Sequence, residues 1–434
     1  MPIPGYRAVS RIVHGLPWHR GALGRSLAGR RQAAARWAAW ARTARRGAGG
    51  PLVWSHAASV GEALAVEPII RRLRRALPDS LQVLTYSSAS AADWPEFPYV
   101  DHADFVPLDE RAQVAQAMDA LRPSLLLFSR GDLWPELVGA ASCRGVPVAI
   151  TGGTVRPGSA RLRWPARALF RRMYESVCYA GAVSEGDAQR LATLGVPGES
   201  MHVTGDPRHA QILERAPRPG IVAPVHAWAP ADRCLIVAGS VEPSDMEAVS
   251  RGVARAVGER GRAIIVPHSP SADTLRVWGA HLERLGLRAG VWNGHGSSGA
   301  DEPVLLVGAT GLLQDLYLVA DMAYVGGGFR RGGLHAVAEP AAVGVPVIVG
   351  PKWRADRDAA ELLRVGGAVA LGETDPGSAL FEIWRRWSTD PTARRAAGLH
   401  ARRCINGDAA DRDGDALARV LRPSPRMADM GRDR

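Results

Sequence analysis

Leu52-Val53-Trp54-Ser55-His56-Ala57-Ala58-Ser59-Val60-Gly61-Glu62 decides the fold class. The apolar run Leu52–His56 is strand-sized, a turn of small residues follows, and Gly61 to Leu77 has helical character. Leu81–Tyr86 is the next strand, and Ser124–Phe128, Val146–Thr151, Val177–Val183 and Met201–Thr204 continue the series. Strands that alternate with helices predict a parallel sheet covered on both faces. A second series runs through Leu235–Ala238, Ala263–Val266, Val304–Val307, Met322–Val325 and Val345–Val349. Between the two, Arg215 to Arg233 holds Pro217, Pro219, Pro224 and Pro230 without clean periodicity, which predicts a linker over 215–233. The expected architecture is α/β: two doubly wound Rossmann-like domains, 51–214 and 234–421, with a ligand cleft at the carboxyl ends of their strands. A basic N-terminal helical arm over 1–50 and a flexible tail over 422–434 complete it.

The arm carries most of the net charge. No Asp or Glu precedes Glu62, while ten arginines do, so a formal net charge of +11 leaves only +1 for the rest of the chain. Gly21 to Arg46 reads as a helix with Leu23, Leu27, Ala34, Trp37 and Ala41 on one side and arginines over most of the remainder. Such a helix can lie in an anionic membrane interface, with Trp at headgroup depth, or pack on its own domain. No recognition fold or aromatic stacking platform accompanies it, so nucleic acid is not an expected partner. No run reaches the roughly 18 apolar residues of a membrane-spanning helix. Cys143, Cys178, Cys234 and Cys404 lie far apart, which excludes a zinc ribbon or a thioredoxin-like pair. The G-x-x-x-x-G-K-[ST] loop of P-loop NTPases is missing. Asp411, Asp413 and Asp415 lack the Gly and Glu of a calcium loop and read as a solvated acidic turn.

Three constellations can carry chemistry. His56 to Glu62 places a carboxylate in the first turn of a helix at a strand end. There Glu62 can serve as a general base or merely complement the helix dipole. Gly326-Gly327-Gly328-Phe329, then Gly332-Gly333-Leu334-His335 and Ala338-Glu339-Pro340, follow the strand Met322–Val325. Glycines there admit a nucleotide phosphate to backbone N–H groups, with Glu339 facing ribose hydroxyls, although tight turns also use Gly. Asp132-Leu133-Trp134-Pro135 suits a sugar or lipid-headgroup contact, and a core tryptophan fits as well.

Read in order from about Leu52 to about Leu371, these residues resemble the 3-deoxy-D-manno-octulosonate (Kdo) transferases of lipopolysaccharide assembly. His56 to Glu62 is similar to that family's H-A-x-S-V-G-E, and Asp132 to Pro135 to its E-L-W-P. Gly239-Ser240 resembles the G-S that opens its second domain. Leu316-Tyr317 through Gly326-Gly327 resembles L-Y-x-x-A-D-x-A-F-V-G-G. Glu339-Pro340-Ala341-Ala342 with Gly344, Pro346-Val347 and Gly350-Pro351 resembles E-P-A-A-x-G-x-P-V-x-x-G-P.

The resemblance implies the GT-B architecture and an inverting, metal-independent transfer of Kdo from CMP-Kdo to a lipid A precursor. It places such a protein peripherally on the cytoplasmic face of the bacterial inner membrane, without a cofactor. Glu62 takes the general-base role. Ser59, Gly61, Asp132 and Trp134 fall on the acceptor side, and Ser240, His268, Gly311, Gly326, Gly327, His335 and Glu339 on the donor side. The arm would then meet an anionic membrane. Several polar positions depart from the family pattern. Its first acid before E-L-W-P is Arg130, its N-A-R is Gly152-Gly153-Thr154, and its P-R-H-P is Pro267-His268-Ser269-Pro270. Its G-G-H-N is Gly333-Leu334-His335-Ala336, and its G-N-x-K-F-D is Gly205-Asp206-Pro207-Arg208-His209-Ala210. Two alternatives follow from those departures: a GT-B transferase with another nucleotide-sugar donor, or an inactive relative that binds glycolipid or a partner.

Overall fold

The computed structural model describes residues 6–7, 10, 21–46, 49–93, 97–215, 217–229, 232–259, 261–294, 302–330 and 332–422. The expected tail beyond 422 lies outside them. Two compact units form. One runs up to Gln211 and takes in the chain again from Asn406, and the other is Ile212–Ile405.

The first unit is built on seven parallel strands: β1 Leu52–Ala57, β2 Leu81–Tyr86, β3 His102–Phe105, β4 Leu125–Ser129, β5 Val148–Gly153, β6 Val177–Ala182 and β7 Met201–Val203. Their order is β3-β2-β1-β4-β5-β6-β7, so the winding reverses between β1 and β4. Val53 to His56 of β1 pair with Leu125 to Phe128 of β4, which sets the two strand ends side by side. Every residue of both strands is buried, as a sheet covered on two faces requires. Trp54, Leu126, Phe128 and Ile150 pack on one face, and Val53, Leu125, Leu127 and Ala149 on the other.

The arm divides into helices Gly21–Arg31 and Ala33–Ala44. Trp37 is fully buried in the first core, and its indole N–H donates to the Phe105 carbonyl at 2.9 Å. Arg36 pairs bidentately with Asp104. Arg30 is buried, donates to the Val106 and Pro107 carbonyls, and its pKa is lowered to about 10 by burial. Of the two placements open to Trp37, the structure shows the packed one: hydrophobic packing against β3 and helix Arg111–Leu121 takes that face.

The aspartates near the C-terminus are also not a solvated turn. They lie on helix Asp408–Leu421, which packs on helix Val60–Ala76. Asp413 is fully buried, where it accepts from Tyr179 Oη at 2.8 Å and from the Thr151 hydroxyl. Asp411 and Asp415 pair with Arg72. This helix, expected in the second domain, thus belongs to the first unit.

The second unit repeats the plan with β8 Leu235–Val241, β9 Arg262–Pro267, β10 Ala289–Trp292, β11 Val304–Val307, β12 Met322–Val325, β13 Val347–Val349 and β14 Ala368–Ala370. The order β10-β11-β9-β8-β12-β13-β14 puts its reversal between β8 and β12. The proline-rich stretch before it is not simple linker. Pro219–Trp228 is a helix with Pro at its first turn, and Ile221, Val225 and Trp228 are buried with Leu235, Val237 and Ile264.

Candidate functional site

The β1/β4 reversal leaves a crevice at the strand ends of the first unit. Ser59 stops the extended chain after β1 and caps helix Val60–Ala76, its hydroxyl accepting the Glu62 N–H at 3.4 Å. In return Glu62 Oε2 accepts the Ala58 N–H at 2.7 Å. This reciprocal pair resembles a capping box and fixes the carboxylate beside the helix N-terminus. Burial raises the Glu62 pKa above the ordinary carboxylate value. The Ala58 N–H draws it back, Asp132 adds to the rise and Arg130 opposes it. The cap thus positions a carboxylate whose charge is only partly compensated.

Glu62 lines a cavity of about 770 Å³ together with Arg130, Asp132, Thr154, Arg156, Gly158, Ser159 and Arg161. Arg130 has a left-handed backbone, φ 77°, followed by Gly131 at φ 98°, so β4 turns sharply at its end. Arg161 pairs with Asp132 at 2.8 Å and donates to the Gly131 carbonyl. Arg130 faces Asp206, whose carboxyl would be raised by burial but is held well below the usual range by Arg130 and Arg208. Three guanidiniums and two carboxylates therefore border the cavity, an environment fitted to an anionic, hydroxyl-bearing ligand.

The structure brings Glu62 and Asp132 together. Ser59 and Gly61 stand at the helix start, where Ser59 works as the cap. Trp134 is not among the residues lining the cavity. Its ring packs edge-on to His56 at 5.3 Å, with the Arg30 guanidinium 4.3 Å from its centre. His56 itself is buried and its pKa is pushed down to about 3 by burial, so it is a neutral packing residue beneath the motif. Arg130, Arg156 and Arg161 were not singled out as ligands in the sequence. Nothing local marks them among 53 arginines.

In the second unit the β8/β12 reversal gathers Ser240, Glu242, Gly326 and Gly327. Ser240 has φ 51° and Gly327 φ 92°. A Cβ on Gly326 would fall 2.2 Å from the Ser240 carbonyl oxygen, and one on Gly327 would fall 2.5 Å from that of Gly333. Only glycine fits these close approaches. Buried Asp245 holds the turn, accepting from the Glu242 and Gly327 N–H groups and from Tyr324 Oη. His335 and His268 stack with ring centres 4.1 Å apart, and His335 Nε2 lies 3.0 Å from Glu242 Oε1. Burial lowers the His335 pKa, against the pull of Glu242. Glu242, His268 and His335 are the one trio among the described residues with ligand atoms close enough to hold a metal ion, but Arg330 occupies the same Glu242 oxygen at 3.1 Å.

Gly311 and Glu339 belong to the same unit. The Gly311 carbonyl accepts from Arg215 and Arg218. Glu339 opens helix Ala338–Ala342, its pKa raised by burial against the pull of Arg215. Glu242 lies 93 residues before His335 and Asp245 lies 82 before Gly327, which hid them from a reading of local motifs.

A family profile described as 3-Deoxy-D-manno-octulosonic-acid transferase (kdotransferase) matches residues 31–211. A Bordetella pertussis 3-deoxy-D-manno-octulosonic acid transferase is 31% identical over 403 residues, spanning 86% of this chain and 91% of that one. The corresponding Chlamydophila psittaci protein is 30% identical over 334 residues, with 75% and 76% covered. The chain belongs to the 3-deoxy-D-manno-octulosonic acid transferase family. Membership makes it an enzyme of the GT-B transferase type. The fold agrees with solved structures far beyond the family. The UDP-GlcNAc 2-epimerase of Neisseria meningitidis gives a TM-score of 0.62 at 14% identity, over 85% of this chain and 100% of that one. A glycosyltransferase of Rickettsia africae gives 0.58 at 10% identity, over 87% and 100%. Among the described residues no helix is long and apolar enough to cross a membrane.

Proposed function

We propose that this family member transfers Kdo from CMP-Kdo to a lipid A precursor, with Glu62 as the general base. The observation that carries this reading is the Glu62 carboxylate, capped onto a helix N-terminus, partly buried, and open to an arginine-lined cavity. An acceptor hydroxyl in that cavity gives its proton to Glu62 as its oxygen attacks the anomeric carbon. The glycosidic C–O bond to phosphate breaks at the same centre, and CMP leaves with the electron pair. Arg130, Arg156 and Arg161 suit the phosphates of such an acceptor. In the second unit, the close-packed turn at Gly326 and Gly327, free of side chains, lets the departing phosphate approach beside Ser240 and His335, with His268, Gly311 and Glu339 on the same donor side. The work would take place peripherally at the cytoplasmic face of the inner membrane. No step needs a metal or cofactor.

Transfer from freshly generated CMP-Kdo to a tetraacylated lipid A precursor, read by mass spectrometry, tests the reading. A product heavier by one or more Kdo units, lost in Glu62→Ala, supports it. Folded protein that forms no product with this donor overturns it. The donor side favours one second reading. His268 stands where the family pattern has an arginine, so another nucleotide sugar is the alternative. A thermal shift by UDP and none by CMP would favour it.

A further inference from the structure

Six arginines lie between Arg156 and Arg172, and no acidic residue occurs between Glu136 and Glu175. The segment begins as the wall of the Glu62 cavity, at Arg156, Gly158, Ser159 and Arg161. Three residues beyond Arg161 stands Trp164, 80% exposed and the most exposed large apolar side chain among the described residues. Helix Ala166–Tyr174 follows. One side of it is fixed in the first core by Phe170, Met173 and Tyr174. Its other side leaves Arg167, Leu169, Arg171 and Arg172 exposed, beside Arg163 and Trp164. Arg161 is paired with Asp132, and Arg171 with Glu175. Among the described residues no carboxylate pairs with Arg163, Arg167 or Arg172.

An exposed indole amid uncompensated guanidiniums matches the chemistry of an anionic bilayer surface. The ring partitions to headgroup depth, and each guanidinium meets a lipid phosphate. Among the described residues of the arm, Trp37 is buried and Arg30 and Arg36 are engaged within the unit. We infer that the surface formed by Arg163, Trp164, Arg167, Leu169 and Arg172 docks the first unit onto an anionic lipid bilayer. The inference deepens the proposed use of a lipid acceptor and in that respect rests on it. The same chain segment that touches the bilayer lines the cavity, so a membrane-held acceptor needs to rise only a short way to reach Glu62.

The test is flotation of the full chain with vesicles of phosphatidylglycerol and phosphatidylethanolamine, against vesicles of phosphatidylcholine alone. Three proteins are compared with the unaltered chain: Trp164→Ala, the triple variant Arg163→Glu/Arg167→Glu/Arg172→Glu, and Arg42→Glu/Arg46→Glu on the arm. At about fivefold per arginine, the triple variant should bind the anionic vesicles about 100-fold more weakly. Trp164→Ala should lose about tenfold, since the binding scales with the apolar area inserted. The arm variant should lose much less than the triple variant, and binding of the unaltered chain should fall steeply with salt. All these side chains are exposed, so thermal melting should not move, and a variant that melts early is replaced by the single Arg167→Glu. Unchanged vesicle binding in the triple variant and in Trp164→Ala overturns the inference. So does a loss confined to the arm variant, or a Trp164→Ala effect on self-association alone. Vesicle binding is read without substrate, so failure of the transfer reaction leaves it standing. Transfer to an acceptor dispersed in detergent should in turn survive the triple variant.

Discussion

The Arg130 guanidinium lies 3.5 Å from Asp206 Oδ2, and Arg208 reaches the same oxygen at 2.8 Å. Two departures from the family pattern are thereby joined: the acid lost at position 130 has its counterpart in the acid gained at 206. Asp206 is buried, so removing its charge takes from Arg130 and Arg208 the carboxylate that they share. Asp206→Asn should lower the unfolding free energy by about 3 kcal/mol, the low end for breaking a buried pair. The sign with pH follows from the depressed carboxyl. Its contribution is complete above the unfolded value near about pH 4 and is lost as pH falls toward the native value. Denaturant titrations should therefore show the gap between the two proteins narrowing only below about pH 4. Adding Arg130→Gln should recover part of the loss, and strictly additive effects would show that the pair is not coupled.

Glu62→Gln separates catalysis from folding. The amide oxygen can still accept the Ala58 N–H, so the cap survives, while the base does not. Turnover should fall by about 10² to 10⁴. Burial raises the native carboxyl above its unfolded value, so ionisation of Glu62 costs stability as pH rises through the native pKa. Glu62→Gln should thus melt at or above the wild-type temperature at pH 7. The kcat/KM profile of the parent enzyme should rise with pH through an apparent pKa above the ordinary glutamate value, and that limb should vanish in the variant.

Legibility in the sequence followed burial and locality. Strands in the middle of each sheet are buried on both faces, and their apolar runs were visible: Leu125 to Phe128 and Met322 to Val325 stand in the structure within a residue of the expected span. The strands that escaped are β3, β10 and β14. Each lies at a sheet edge, spans only three or four residues, and is partly exposed, so it carries little hydrophobic pattern. Glu62 was legible because strand, turn and cap follow one another in sequence. Asp245 and Glu242 were not, because their hydrogen-bonding geometry is made by strand order rather than by spacing. The arm was ambiguous for a physical reason: an amphipathic helix has the same pattern whether its apolar face meets lipid or its own domain.

That ambiguity has a direct check at Trp37. Truncation removes a fully buried indole and its hydrogen bond to the Phe105 carbonyl. Trp37→Ala should cost about 3–5 kcal/mol in stability. If instead it lowered vesicle binding with no change in melting, the arm would be a membrane element after all.

Gly327 tests the donor loop by backbone alone. Its φ of 92° disfavours any side chain, and an alanine Cβ would fall 2.5 Å from the Gly333 oxygen and 3.3 Å from the His335 ring. The first contact is with backbone, which cannot swing aside as a flexible side chain would. Relief requires the loop to open, and opening withdraws the Gly327 N–H from Asp245. Asp245 is buried and raised by that burial, so it loses one of the donors that draws its pKa down and becomes easier to protonate. Gly327→Ala should therefore cost more than about 2 kcal/mol in stability. It should also weaken CMP binding by calorimetry far more than it weakens acceptor binding in the first unit. Equal effects on both ligands would mean that the substitution unfolds the protein generally, and that the glycine loop has no particular part in holding the nucleotide.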